Sequence, residues 1–329
     1  MLSILYLVLE SIAVILPILL AVAWMTILER KVLAATQRRV GPNSVGYYGI
    51  LQPFSDALKL IIKETVIPSS SNKVLFYLAP IIAIIVSLLG WSVIPLGQGL
   101  VISDFSMGVL LTLTLSSLGV YGILFAGWSA NSKYAFLGAL RASAAMISYE
   151  LILSSSIIVV ILLAGTFNYI KIIEAQQAIW FIVPLAPVFI LFFIAILAET
   201  SRTPFDLQEA ESELVAGFFT EHSSIIFVFY FLAEYSSIVL FSAVTSILFL
   251  GGYNFPELFI NNTFLNLQAI ILGLKTCAIC FVFIWFRATF PRVRFDQIIV
   301  FCWTALLPVV MAFILLVPCL LIAFDLVAV

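Results

Sequence analysis

Histidine occurs once in the 329 residues, as His222. A haem held between membrane helices usually draws on pairs of histidines, and Fe–S clusters draw on sets of cysteines. The four cysteines, Cys277, Cys280, Cys302 and Cys319, all lie in apolar runs. No redox metal is therefore expected on this chain, and no disulfide framework. Cys277 and Cys280 have CxxC spacing, but the rest of a zinc site is missing. They read as small residues for helix packing. Charge is scarce as well: Asp, Glu, Lys and Arg make up 10% of the chain, and the net charge of -2 says nothing about partners. Met1-Leu2-Ser3 has no basic n-region, and no Arg-rich transit segment appears. The apolar run that follows is too long for a signal h-region and holds Glu10, so it reads as a retained membrane helix.

What is abundant is apolar: 64% hydrophobic residues, 29 of them Phe, and a mean hydropathy of +1.22. Apolar runs of about eighteen residues or more recur, each long enough to span a bilayer as a helix. Lipid offers no partner to backbone groups, so an all-α polytopic membrane protein of one transmembrane domain, 1–329, is expected. Eight spans are read: 2–28, 74–96, 105–128, 146–163, 179–198, 224–250, 265–286 and 298–324. Polar loops of one side then cover 29–73, 129–145, 199–223 and 287–297. Thirteen of the fifteen Lys and Arg fall on that side. The positive-inside rule makes it the cytoplasm or a mitochondrial matrix, with both termini on the other side. Pro17, Pro184, Pro187, Pro308 and Pro318 do not pair between two halves, so an inverted-repeat transporter is not indicated.

The first inner loop contains a helix. Gln52 to Glu64 has Pro53 at its first turn. Phe54, Leu58, Ile61 and Ile62 share one face and Asp56, Lys59 and Lys63 the other. That suits a helix lying in the interface plane. A short helix packed on a partner protein is the other reading.

The stretch from Glu199 to Glu221 holds six of the seventeen acids. Pro204 breaks any continuous helix there. A helix starting near Asp206, capped by Thr203 or Asp206, would put Asp206, Glu209 and Glu213 on one face. Close, buried carboxylates raise one another's pKa and suit proton transfer near neutral pH. A solvated acidic loop is the bland reading. The interleaved Leu207, Leu214, Val215, Phe218 and Phe219 argue for a packed one. Glu150 beside Tyr149, Glu234 beside Tyr235, and Glu199 are isolated acids in or at the edge of apolar spans. Such residues pair or face a wet cavity. Lys275 is a candidate counter-charge, and structural salt bridging is the alternative role. Glu29-Arg30-Lys31, Arg38-Arg39, Arg287, Arg292 and Arg294 read mainly as topology signals and head-group contacts. Arg30, next to an acid, is a candidate anchor for a ligand head group or a docking subunit.

Several of these segments resemble subunit 1 of NADH–ubiquinone oxidoreductase, the quinone-site membrane subunit of respiratory complex I. They are Glu29-Arg30-Lys31 with Gln37 to Asn43, Leu51 to Leu60, Gly127 to Ala135 with Gly138 to Arg141 and Ile147 to Glu150, Ala198 to Leu214, and Arg287 to Gln297. Gly217-Phe218-Phe219-Thr220-Glu221 departs from that family's usual Gly-Phe-Asn-Val-Glu. The resemblance implies an enzyme subunit with no redox centre of its own. Electrons would arrive from NADH through FMN and Fe–S clusters on hydrophilic partner subunits at the inner face. Ubiquinone would enter between the first span, the interfacial helix and the sixth span. Its binding residues would be Arg30, Glu29, Phe54, Asp56, Phe231, Arg287 and Arg292. Glu199, Asp206, Glu209, Glu211, Glu213, Glu150 and Glu234, with Tyr149 and Tyr235, would relay charge toward antiporter-like membrane subunits. Phospholipid is an expected contact; nucleic acid is not. The setting implied is the mitochondrial inner membrane, with a bacterial plasma membrane as the alternative. The membrane anchor of an energy-converting hydrogenase and a stand-alone ion transporter are the rival readings.

Overall fold

The computed structural model describes residues 2–206, 217–255 and 268–325, with side chains from residue 8 onward. Among the described residues there is no strand beyond an isolated bridge between Gly97 and Leu100. The helices are α1 (Leu2–Thr36), α2 (Gln52–Ile62), α3 (Lys73–Leu89), α4 (Gly108–Ala130), α5 (Lys133–Ala164), α6 (Tyr169–Ala175), α7 (Ala186–Glu199), α8 (Ser224–Phe249) and α9 (Gln268–Thr289). A last rod begins as α10 (Phe295–Val300), passes through a π-helical turn (Phe301–Leu306) and continues as α11 (Leu307–Ala323). Seven of these, counting the last rod as one, are long and apolar enough to cross a membrane.

α7 has only 14 residues, about 21 Å of helix against an apolar bilayer core of about 30 Å. The expected span 179–198 is thus helical over its second part only. Pro184 and Pro187 account for this. Pro187 sits at the first turn, where a missing N–H costs nothing. Yet the chain crosses here. Ile182 N–H donates to Phe249 at the end of α8, at 3.0 Å. Arg202, beyond the other end of α7, meets Glu29 of α1. The two contacts sit at opposite ends of the bundle. α7 can be short because it is buried among neighbours: Val188, Phe192, Ala195 and Ile196 are fully enclosed.

α5 is longer than expected. Residues 129–145 were expected as a polar link, but helix runs from Lys133 on. Ser132 caps it, its hydroxyl accepting from Ala135 N–H, and Gly165 ends it at φ +69°. Ala and Ser lower the hydropathy of this stretch without weakening a helix much; Ala is the best helix former.

α1 shows how sequence period sets packing. Ile18, Val22, Met25 and Glu29 recur every three or four residues and are buried, while Leu9, Ile12, Leu16, Leu20 and Trp24 stay exposed. The buried stripe packs on α8 and α9. α2 forms as expected, and none of its residues is buried. Its apolar Phe54, Leu58, Ile61 and Ile62 face outward, while the helix leans on α1 and α8. Gly138 permits one close approach: a Cβ there would lie 2.8 Å from Gly217 Cα. This seats the 3-10 turn Gly217–Glu221 directly on α5.

Candidate functional site

The fourth member of the buried α1 stripe is an acid, so Glu29 carries its charge into the bundle. Three groups meet it. Tyr235 of α8 donates its hydroxyl at 2.6 Å. Arg202 donates at 3.2 Å. Arg287, in the last turn of α9, donates to the same oxygen as Arg202. Arg202 also holds Glu234 of α8, with 3.1 Å between Nε and Oε1, and its guanidinium lies 4.5 Å from the Tyr235 ring centre. Burial works against its charge, but Glu234 and Glu29 more than offset this and hold its pKa above the ordinary arginine value. Two acids and two arginines thus balance in a site where an unpaired charge would be costly.

The backbone after α7 aims Arg202 at this cluster. Ser201 takes φ +49°, and Arg202 N–H returns to Leu197 at 3.0 Å. The loop is then stitched to the last inner turn. Val293 N–H donates to Pro204 at 3.0 Å, and Arg292 donates to Asp206 at 2.9 Å. The Thr203–Pro204 peptide is cis. Asp206, expected as a possible helix cap, is an ion-pair partner of Arg292. Glu209, Glu211 and Glu213, and any helix beginning at Asp206, lie outside the described residues.

One expectation is corrected. Lys275 is not the counter-charge of the buried acids. Its ammonium donates to three backbone carbonyls, Leu250, Gly252 and Asn254, each at 2.7 Å, below Trp180 and Phe255. A lysine on α9 meets the exposed carbonyl end of α8, where a cation is favoured, and Arg202 and Arg287 serve the acids instead. One residue beyond Glu29 the helix turns the side chain by about 100°, so Arg30 faces outward to Asp56 of α2, at 2.6 Å. Gln52 donates to the other Asp56 oxygen at 3.0 Å.

An open cleft lies between α3, α4, α5, α7 and α8. Its walls are mainly apolar. Glu199, Glu234, Thr200, Ser87, Ser116 and Tyr230 bring the polar atoms to it. Neither Glu199 nor Glu150 forms an ion pair among the described residues. Glu150 accepts from the Ser117 hydroxyl, and Glu199 Oε2 is buried without a hydrogen-bond partner. These two acids therefore differ in kind from Glu29, Glu234 and Asp206, which have arginines. A narrow open cleft sits beside the Arg202 cluster, lined by Met25, Glu29, Arg202, Ile238, Phe283, Ile284 and Arg287.

Tyr149 is fully buried, donating to Ile298 at 3.3 Å and packing on Phe205. Phe231 stacks on Tyr235, so an aromatic row on α8 leads toward Glu29. Phe54 stands exposed on α2. Among the described residues, no group of three or more His, Cys, Asp or Glu side chains could hold a metal ion.

Comparison with known proteins accounts for this arrangement. A family model described as NADH dehydrogenase matches residues 9–318. The chain is similar to NADH-ubiquinone oxidoreductase chain 1 of Mycosarcoma maydis, 65% identical over 327 residues, 99% of each chain. It is 53% identical to the protein of that name from Podospora anserina, over 98% of this chain and 97% of the relative. A bacterial relative from Rhodospirillum centenum, which carries the name of an NADH-quinone oxidoreductase subunit, is 49% identical over 96% of this chain and 94% of the relative. With a family model that spans most of the chain and relatives that match over nearly their full length, the chain belongs to the NADH dehydrogenase family, as a membrane subunit of the NADH–ubiquinone oxidoreductase enzyme.

Proposed function

We propose that this chain guides ubiquinone to its reduction site and converts that reduction into movement of charge toward proton-pumping partners in the mitochondrial inner membrane. The reading rests above all on one observation. The Glu29–Arg202–Glu234 triplet links three segments that a quinone route and a proton route would share: α1, the loop after α7, and α8.

Ubiquinone reduction consumes two electrons and two protons. On this reading the electrons come from NADH through FMN and Fe–S clusters in hydrophilic partners at the inner face. The quinone enters between α1, α2 and α8, past Phe54 and Phe231. Arg30, Asp56, Glu29, Arg287 and Arg292 steer its polar head. The contact of α1 with α2 and α8 supports this route, as does the Phe231–Tyr235 stack that ends at Glu29. Protons drawn by reduction change the charge on Glu199, Glu150, Glu234 and Asp206, together with Glu209, Glu211 and Glu213. Tyr149 and Tyr235 orient the chain of acids, and antiporter-like membrane subunits receive the change. The acids without arginines, Glu199 and Glu150, are the natural sites for a proton to come and go.

Two measurements test it. In the assembled complex, Glu199→Gln with Asp206→Asn should stall quinone turnover or uncouple it from proton movement. Normal pumping in that variant would make the acids scaffolding. A photoreactive ubiquinone should attach to this chain near Phe54 or Phe231. Absence of attachment would favour an anchor-and-relay subunit of hydrogenase type, with no quinone.

A further inference from the structure

The only histidine packs against Tyr230, a residue of the cleft wall, in a place the relay does not use. His222 joins the 3-10 turn Gly217–Glu221 to α8 and is 6% exposed. Its neighbours Glu221 and Ser223 are half-buried, and Ser223 accepts from the exposed Val66 N–H at 3.2 Å, so the inner surface is one residue away. The imidazole packs between Phe76, with ring centres 4.4 Å apart, and Tyr230, at 5.2 Å. Both ring nitrogens lack a well-formed hydrogen bond. The Tyr230 hydroxyl, on a side chain 4% exposed, also lacks one, and Tyr230 lines the cleft that holds Glu199. Glu199 Oε2 is in the same condition.

Orphaned polar atoms of this kind are rare. Native proteins pair about nine in ten or more of their buried polar groups, and each one left alone costs about 1–3 kcal/mol. A hydrophobic side chain at position 222 would satisfy Phe76 and Tyr230 without that cost. Buried polar groups beside a roomy, partly polar cleft are where ordered water binds. Burial pushes the imidazole down to about 4, with the Ala126 backbone offsetting part of the effect. At neutral pH the ring is therefore uncharged, with one nitrogen that donates and one that accepts. Such a ring can take a proton on one side and release another on the other side, returning as the opposite tautomer. A phenol hydroxyl can do the same.

We propose that His222 and Tyr230, bridged by water, are the entrance through which protons from the inner compartment reach Glu199 in the cleft. One proton crosses per event. It binds the acceptor nitrogen of His222 as the other nitrogen gives up its own. Tyr230 passes that proton inward, and the Glu199 carboxylate takes it. The proposal rests on the relay reading of Glu199 and adds the path that refills it.

The test uses the intact complex in liposomes, with rates normalised to assembled complex through NADH oxidation by a water-soluble acceptor. His222→Phe keeps an aromatic ring between Phe76 and Tyr230 while removing both nitrogens, and Tyr230→Phe removes a single hydroxyl. Each should slow coupled quinone turnover by about a hundredfold, the lower end of the range for a lost acid–base group, and should change its solvent isotope effect. His222→Ala should be slow and should recover when imidazole is added. Wild-type turnover and isotope effect in both Phe variants would overturn the entrance. So would a slow His222→Ala that imidazole does not rescue, because a merely structural residue gives that result. Glu199→Gln is measured alongside. If it alone is impaired, the entrance is wrong and the relay stands. If it too pumps normally, the relay reading falls first.

Discussion

Taking one partner from a buried ion cluster costs more than the pair itself contributes, because the survivor keeps its charge without a counter-ion. Arg202 is the sharpest case here, since it faces both Glu29 and Glu234. Arg287 would still serve Glu29, but Glu234 would lose the guanidinium beside it. Arg202→Ala should therefore destabilise the subunit by roughly 3–5 kcal/mol, read as a fall in assembled complex and in its melting temperature. Arg202→Lys keeps the charge but not the planar fork that reaches two carboxylates at once, so it should fall between Ala and wild type. Equal stability in all three would mean the cluster carries no structural weight. Glu29 was legible in part: the period Ile18, Val22, Met25, Glu29 puts an acid at a core position of α1. Its partner Arg202 was not, because 173 residues separate them and only the assembled bundle brings them together. Lys275 misled for a related reason. A lysine in an apolar run suggests a carboxylate partner, but carbonyls freed at a helix end satisfy it equally well.

At the scale of elements, what could be read was what depends on local chemistry. α2 was visible in full because Pro53 marks its start and its two faces differ in kind. The long spans were visible because lipid demands continuous apolar helix. Two boundaries were not. Hydropathy placed the start of α5 near Met146, thirteen residues late, because the run rich in Ala and Ser before it is moderately polar yet strongly helical. Hydropathy also gave α7 a full-length helix, because apolar residues in turns count the same as those in a helix. Pro184 and Pro187 held the correct signal. A buried crossing segment needs no lipid-length helix when neighbours and its own turns meet its backbone, as the Gln176 side chain does for Phe181 N–H at 3.3 Å and Phe249 O does for Ile182 N–H at 3.0 Å. The seating of the 3-10 turn on α5 depends on two glycines meeting at close range, Gly138 and Gly217. No local pattern marks such a meeting.

For the whole molecule, the number of crossings decides which way the chain faces. Seven crossings would leave the termini on opposite sides and split the basic residues between both. Eight keep Arg30, Lys133, Arg202 and Arg292 at one end. The ion contacts favour eight. Arg202 after α7, Glu29 near the end of α1 and Arg287 at the end of α9 could not touch unless those ends shared a side. The far end carries Lys275, enclosed by carbonyls, and the Asn168–Asp104 and Gln98–Gln268 contacts. With thirteen of fifteen cations at the first end, we propose from the positive-inside rule that this end faces the matrix. Two serine-to-cysteine changes test this with little perturbation, one at each end. Ser106, exposed just before α4, should react as Ser106→Cys with a membrane-impermeant maleimide added to mitochondria whose inner membrane is intact. Ser69, exposed in the loop before α3, should react as Ser69→Cys only once that membrane is permeabilised. Cys277 and Cys319 sit on membrane-facing surfaces inside long apolar helices, where a charged reagent does not reach. The reverse order of labelling would turn the subunit over, and with it the side from which both quinone reduction and proton uptake are argued.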